Sequence, residues 1–247
     1  MGERIIVLVH GILTRAFWYD TVIPVLSDLD ETSVKPITFG YFDLLSFLLP
    51  GHARRRPQDI VLSGMYQLIE KHSADGRHPQ ISVIAHSFGT YTVIKALERS
   101  SDITIHNLIL CGSVVRSDYD FSTVMRKVEN VIINDVGFRD VWPVVARVAS
   151  FGYGCSGTYG FEHPYCQNRH HDLKHSEFFN FGFVHKYWWS IFNNNQIVPS
   201  NFNRASRRRP LIQIVLSHLP ASSLPCVLIF AIALSVGWLC YRMFISN

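Results

Sequence analysis

Ser87, with acidic and histidine side chains that follow it in the chain, suits nucleophilic chemistry. A serine hydroxyl attacks a carbonyl only after a base takes its proton. The usual base is a histidine oriented by a buried carboxylate. Ser87 lies in Ala85-His86-Ser87-Phe88-Gly89, after the apolar run Ile81-Ser82-Val83-Ile84 and before the helical pattern Thr90 to Leu97. That is strand, sharp turn, helix, with the hydroxyl at a helix N-terminus, where negative charge is favoured. Small residues two before and two after the serine, Ala85 and Gly89, let strand and helix approach closely. Such a motif is short, and its partners elsewhere in the chain decide its meaning.

Two acids follow the apolar run 128–133, Asp135 and Asp140. Asp135 sits at a strand end, where it could cap a turn. Asp140 precedes a helix, where it could serve as an N-cap. A loop of several residues gives Asp140 the reach to return over the sheet, so it is preferred and Asp135 stays open. Five histidines crowd the region after it: His163, His170, His171, His175 and His185. His175 falls between the last strand and the last helix and is the preferred base. His185, inside the helix, is the alternative. No metal-ligand spacing joins these histidines, so no metal or other cofactor is expected. Acyl transfer also needs N–H donors for the oxyanion. The backbone N–H groups of Phe88 and Ile12 are the candidates, with His10 and Gly11 shaping the approach of the second.

These side chains need a sheet to hold them. Ile5 to Val9 is a continuous apolar run, as in a strand buried on both faces. Strands are expected over 35–41, 81–85, 105–111, 128–133 and 166–172, and helices over 18–26, 58–72, 88–100 and 180–193. Alternating strands and helices predict a mostly parallel sheet with helices on both faces. In such sheets, functional groups collect beyond the carboxyl ends of the strands.

Val9-His10-Gly11-Ile12, Ala85-His86-Ser87-Phe88-Gly89, Asp140 and His175-Ser176-Glu177 together resemble the α/β-hydrolase superfamily, in its small lipase and esterase branch. The resemblance spans residues 4–193 and keeps the family's order of oxyanion loop, nucleophile, acid and histidine. Alanine replaces the first elbow glycine, as in bacterial lipases of this fold. The resemblance implies an α/β-hydrolase fold with Ser87, Asp140 and His175 catalytic, and Ile12 and Phe88 forming the oxyanion hole. No long insertion supplies a large lid. The apolar segment 42–49 and the loop 151–165 are the candidates for a small cap or acyl pocket.

The tail lies outside that resemblance. Leu224 to Ile245 is a mostly apolar run of 22 residues in which Arg242 is the one charged residue. As a helix it would span about 33 Å, against about 30 Å of hydrocarbon. The chain carries a net charge of +4, yet Arg204, Arg207, Arg208, Arg209 and Arg242 contribute +5 with no acid after position 203. The first 203 residues are therefore near neutral, which excludes a broad nucleic-acid surface. Arginines before the run predict a domain on the cytoplasmic side. The expected organisation is a catalytic domain over 1–200, a basic juxtamembrane linker over 201–221 and a transmembrane anchor over 222–247. The stretch 211–219 reads as a short interfacial helix within that linker. Arg54-Arg55-Arg56 reads as a solvated loop. Met1 to Arg4 lead directly into a strand, so no secretory leader is expected. The five cysteines show no paired spacing, and reduced thiols are expected.

The expectation is thus a serine hydrolase that cleaves an acyl ester, of a lipid or lipid-like substrate, at a membrane surface. A thioesterase acting on lipidated protein is the alternative enzyme. A membrane-tethered binding module that reuses the fold without catalysis is the alternative of another class.

Overall fold

Strand β1 (Arg4–Val9) is buried from its second residue onward, which explains its unbroken apolar run. Its side chains alternate between two cores. Ile5, Val7 and Val9 enter one, and Ile6 and Leu8 the other. The computed structural model describes residues 3–11, 19–38, 51–73, 78–203 and 207–227. Five further strands complete the sheet: β2 (Thr32–Ile37), β3 (Gln80–His86), β4 (Ile105–Cys111), β5 (Val128–Gly137) and β6 (Cys166–His171). The order is β2-β1-β3-β4-β5-β6, and every neighbouring pair is parallel. Of the expected strand 35–41, residues 39–41 lie outside the described residues, and β2 starts earlier, spanning Thr32–Ile37. This edge strand buries only Val34 and Ile37, so its apolar pattern is weak.

Helices cover both faces. On one, α2 (Arg55–His72) and α3 (Phe88–Arg99) bring Val61, Met65, Val93 and Leu97 against the sheet. On the other lie α1 (Tyr19–Ser27) and a later helical segment described below, with Val22, Leu26, Trp188 and Ile191. Two short helices follow β5: α4 (Trp142–Ala149) and α5 (Ser156–Tyr159). Residues 181–194 form α6, whose middle, Val184–Trp189, winds as a π-helix. Such a wide turn is uncommon. Here it carries the fully buried Trp188.

β1 lies between β2 and β3, so the chain winds outward in both directions from the β1/β3 crevice. Open α/β sheets bind ligands at such switch points. The residues after β1, His10 and Gly11, and the residue after β3, Ser87, meet there. A helix α7 (Leu211–His218) forms within the segment expected to be a linker. Among the described residues, no helix is long and apolar enough to cross a membrane. Residues 228–247, most of the expected anchor, lie outside the described residues, as do Ile12, Arg204 and the segment 42–49.

Arg54 departs from the solvated reading of the arginine run. It is buried, donates to the Phe151 carbonyl at 2.6 Å and to Ser150 Oγ at 2.8 Å, and lies 4.1 Å from the Tyr153 ring. Its neighbours Arg55 and Arg56 are exposed. A run of like residues conceals the one that a short helical turn rotates inward.

Candidate active site

Ser87 sits at the turn between β3 and α3 with φ 56° and ψ −127°. A non-glycine residue with this backbone carries strain on the order of 1–3 kcal/mol. Strain of this kind gathers where geometry serves a function. The turn is held by Ser87 N–H donating to the Cys111 carbonyl at 3.0 Å and by Thr90 N–H returning to the Ser87 carbonyl at 3.0 Å. The Ser87 hydroxyl makes no capping bond to α3, which leaves it available for chemistry.

Gly11 and Gly89 allow the close approach that the sequence implied. A Cβ on Gly11 would stand 2.7 Å from Ser87 Cβ and 3.0 Å from its hydroxyl oxygen. A Cβ on Gly89 would stand 2.6 Å from the Val9 carbonyl oxygen. The two loops therefore touch, and the Phe88 N–H lies at the same junction, 3.3 Å from that imagined Gly11 Cβ. Ala85 is buried in β3 beneath the turn. His10 is buried and bonds the Gly11 carbonyl through Nδ1. The second expected oxyanion donor, Ile12, lies outside the described residues.

Asp140 and His175 are brought together. His175 Nδ1 donates to Asp140 Oδ2 at 2.8 Å, and the carboxylate is fully buried. This bond places the proton on Nδ1 and leaves the Nε2 lone pair free to take a hydroxyl proton. Asp140 Oδ1 also accepts from Trp142 N–H at 3.0 Å. Its two oxygens thus orient the histidine and satisfy an orphan donor of α4. The acid and histidine loops are tied to each other. Phe138 N–H donates to the His171 carbonyl, Arg139 N–H to the Leu173 carbonyl, and the Arg139 guanidinium pairs with Asp172 at 3.0 Å and Glu177 at 3.2 Å.

Asp135 is engaged elsewhere. Arg169 meets it through two bonds of 2.8 Å, His171 Nε2 lies 2.8 Å from Oδ1, and Trp188 Nε1–H donates to Oδ2 at 2.9 Å. Burial works to raise this carboxyl's pKa. The charge of Arg169 and the bond and charge of His171 outweigh it and hold the value down to about 2. The buried knot clips β6 and α6 to β5. His185 is exposed on α6, with its ring stacked between Phe181 and Trp189. The loop 151–165 folds against the residues after β4, with Gly154 N–H on the Val114 carbonyl and Gly157 N–H on the Ser113 carbonyl. Its Tyr153 packs edge-on to Phe88, so it forms a wall beside the elbow.

Three supporting residues escaped the sequence reading. Gly112, with φ 54°, lies under the His175 ring, where a Cβ would come within 2.9 Å of Cε1 and Nδ1. A left-handed backbone beneath a close ring requires glycine there. His86 Nε2 donates to the His175 carbonyl at 2.9 Å, and the two rings lie 4.5 Å apart. Gln213, on α7, bonds the Asp140 carbonyl at 2.9 Å. For Gly112 the signal was present, a glycine directly after a strand. The other two bonds depend on long-range contact.

Burial pushes His86 well below the ordinary imidazole range, and the charges of His175 and His10 add to it, against a bond to the His175 carbonyl. Burial likewise lowers His10, against its bond to Gly11. Each therefore takes up a proton at lower pH in the folded chain than in the unfolded chain, where histidine titrates near about pH 6.5. Their contribution is therefore complete above that pH and is lost as pH falls below it. Each costs up to about 1.4 kcal/mol per pH unit in that range. Thermal melts of the detergent-solubilised chain are expected to shift several degrees downward between about pH 7.5 and about pH 5.5. A melting temperature flat across that interval contradicts the lowered proton affinity of both rings.

The sequence matches no protein-family model and no curated protein. Solved structures do match the fold. LpqC, a poly(3-hydroxybutyrate) depolymerase from Bordetella parapertussis, superposes with a TM-score of 0.52 at 13% identity, over 87% of this chain and 85% of that one. An uncharacterized protein from Bacillus cereus ATCC 10987 gives 0.51 at 12% identity, over 79% of this chain. The match spans 60% of that protein's length. The chain has the α/β-hydrolase fold. Ser87 sits on a sharp, strained turn from a strand into a helix, between β3 and α3.

Proposed function

We propose that the chain is a serine hydrolase that cleaves an acyl ester of a lipid or lipid-like substrate at a membrane surface. The observation that carries this reading is the 2.8 Å pair of His175 and buried Asp140, set at the same end of the sheet as the strained Ser87. His175 Nε2 takes the Ser87 proton as the hydroxyl oxygen bonds to the ester carbonyl carbon. The Phe88 and Ile12 N–H groups receive the developing oxyanion. Losing one such donor typically costs about 3–4 kcal/mol of transition-state stabilisation. The tetrahedral intermediate collapses, the carbon–oxygen bond to the alcohol breaks, and the imidazolium returns its proton to that alcohol. Water then repeats the sequence on the acyl-enzyme and releases the carboxylic acid. Asp140 keeps the histidine in one tautomer and stabilises its charged form. No cofactor takes part in this scheme.

The membrane setting rests on sequence. Residues 222–247 serve as the anchor, and the arginines before them place the catalytic domain on the cytoplasmic side. Lipid and acyl-protein profiles of cells expressing the wild-type chain or Ser87→Ala provide the test. Loss of a lipid ester with a matching gain of free fatty acid, dependent on Ser87, is expected. A change confined to protein S-acylation would make it a thioesterase. Identical profiles from both forms would favour a non-catalytic module.

A further inference from the structure

Helix α7 is packed inside out. Its one fully buried side chain is Gln213, at 0% exposure, while Leu211 is 79% exposed, Val215 63% and Ile212 55%. A helix partnered only by the catalytic domain and water would present the opposite arrangement. We propose that α7 docks on a lipid surface through its outward aliphatic face, while its inward Gln213 positions the catalytic acid. The second half of this proposal rests on the hydrolase reading above.

The inward side is a set of specific bonds. Gln213 Nε2 donates to the Asp140 carbonyl at 2.9 Å and to the Phe138 carbonyl at 3.1 Å. Thr158 Oγ1 donates to the same Asp140 carbonyl at 2.8 Å. Arg209 Nη1 donates to Gln213 Oε1 at 3.2 Å, which sets the amide with its NH₂ toward the acid loop. The Arg209 guanidinium lies over Phe138 at 4.5 Å and Tyr159 at 4.3 Å. At the other end, Arg147 donates to the Leu216, Ser217 and Leu219 carbonyls, satisfying the last acceptors of α7. Ser222 Oγ then donates to the Ser150 carbonyl. The helix is therefore fastened at both ends, and its middle side chain braces the backbone of the residue that orients His175. Gln213 is a positioning residue, acting through Asp140.

The outward side fits lipid. Beyond the helix, Leu224 and Val227 are also exposed, and the sequence then runs on to Tyr241 without a formal charge. Arg207 and Arg208, exposed just before α7, suit anionic headgroups, although Arg207 also lies 3.8 Å from Asp172. No acid follows position 203 to oppose them. An amphipathic helix with basic residues at its edge lies in the plane of an interface. Trp142, 61% exposed and 6.3 Å from the His175 ring, adds a large apolar side chain at the rim of the site.

The test uses the full chain in vesicles of phosphatidylcholine and phosphatidylglycerol. A photoreactive benzophenone residue replaces Val215, and in a control it replaces Glu129, exposed near the start of β5 at the far end of the sheet. Phospholipid adducts are expected at position 215 and not at 129. Adducts to residues 228–247, adducts to a second copy, or no adduct at 215 overturn the docking. This readout does not require turnover, so it stands apart from the hydrolase reading, which Ser87→Ala tests. In the same vesicles, Gln213→Met and the shortened amide of Gln213→Asn are expected to lower kcat for p-nitrophenyl butyrate about tenfold with KM unchanged. Unaltered kcat in a folded variant overturns the positioning role, and a rise in KM alone does so as well.

Discussion

Ser87→Ala is expected to abolish ester turnover, lowering kcat for p-nitrophenyl butyrate by about 10⁴-fold or more. It is also expected to end labelling by a fluorophosphonate probe. The argument is chemical and local. No other described hydroxyl combines the strained turn with a backbone bonded to Cys111 and an approach by Gly11. Removing a nucleophile leaves only the rate supplied by binding and oxyanion donors. The substitution deletes one oxygen that makes no cap bond, and the backbone at φ 56° is equally strained for alanine. The melting temperature should therefore hold within a few degrees. Fluorophosphonate labelling retained at wild-type rate in Ser87→Ala would sink the assignment.

The second large effect separates the two acids. Asp140→Asn is expected to lower kcat by about 10⁴-fold while the protein stays folded. An amide opposite His175 Nδ1 offers a donor where an acceptor is needed, and the imidazole then holds its proton on the wrong nitrogen. Asp135→Asn is expected to act on folding. It leaves the buried Arg169 guanidinium without its counter-charge and weakens the bonds from His171 and Trp188. Breaking a buried pair from one side typically costs about 3–5 kcal/mol. Thermal melts and steady-state rates on both variants read the difference. Full activity in Asp140→Asn, or a normal melt with lost turnover in Asp135→Asn, would reverse the roles.

The two acids also show how far the chain could be read in advance. In the sequence both follow the apolar run 128–133, and local pattern ranks them only by reach. Asp135 lies within β5, whose register places it opposite Arg169 on β6. A residue inside the ladder meets the neighbouring strand, so its carboxylate goes to structure. Asp140, beyond the strand end, is free to meet a loop. The histidines sort in the same way: His171 ends β6 and joins the structural knot, His185 faces solvent, and His175 lies in the loop that reaches Asp140.

By itself, the sequence determined the alternation of strands and helices, the elbow around Ser87 and the order of acid and histidine. These follow from periodicity, small residues at a tight turn and chain direction, all of which are local. Tertiary structure alone decided which acid meets which histidine, because side chains 35 positions apart pair only after β5 and β6 are in register. It alone turned Arg54 inward and set His86 and Gly112 beside His175. It alone brought Gln213 back to Asp140 across 73 residues. A buried glutamine beneath an aliphatic helix face has no signature in periodicity. Its place is set by two backbone carbonyls that need a donor.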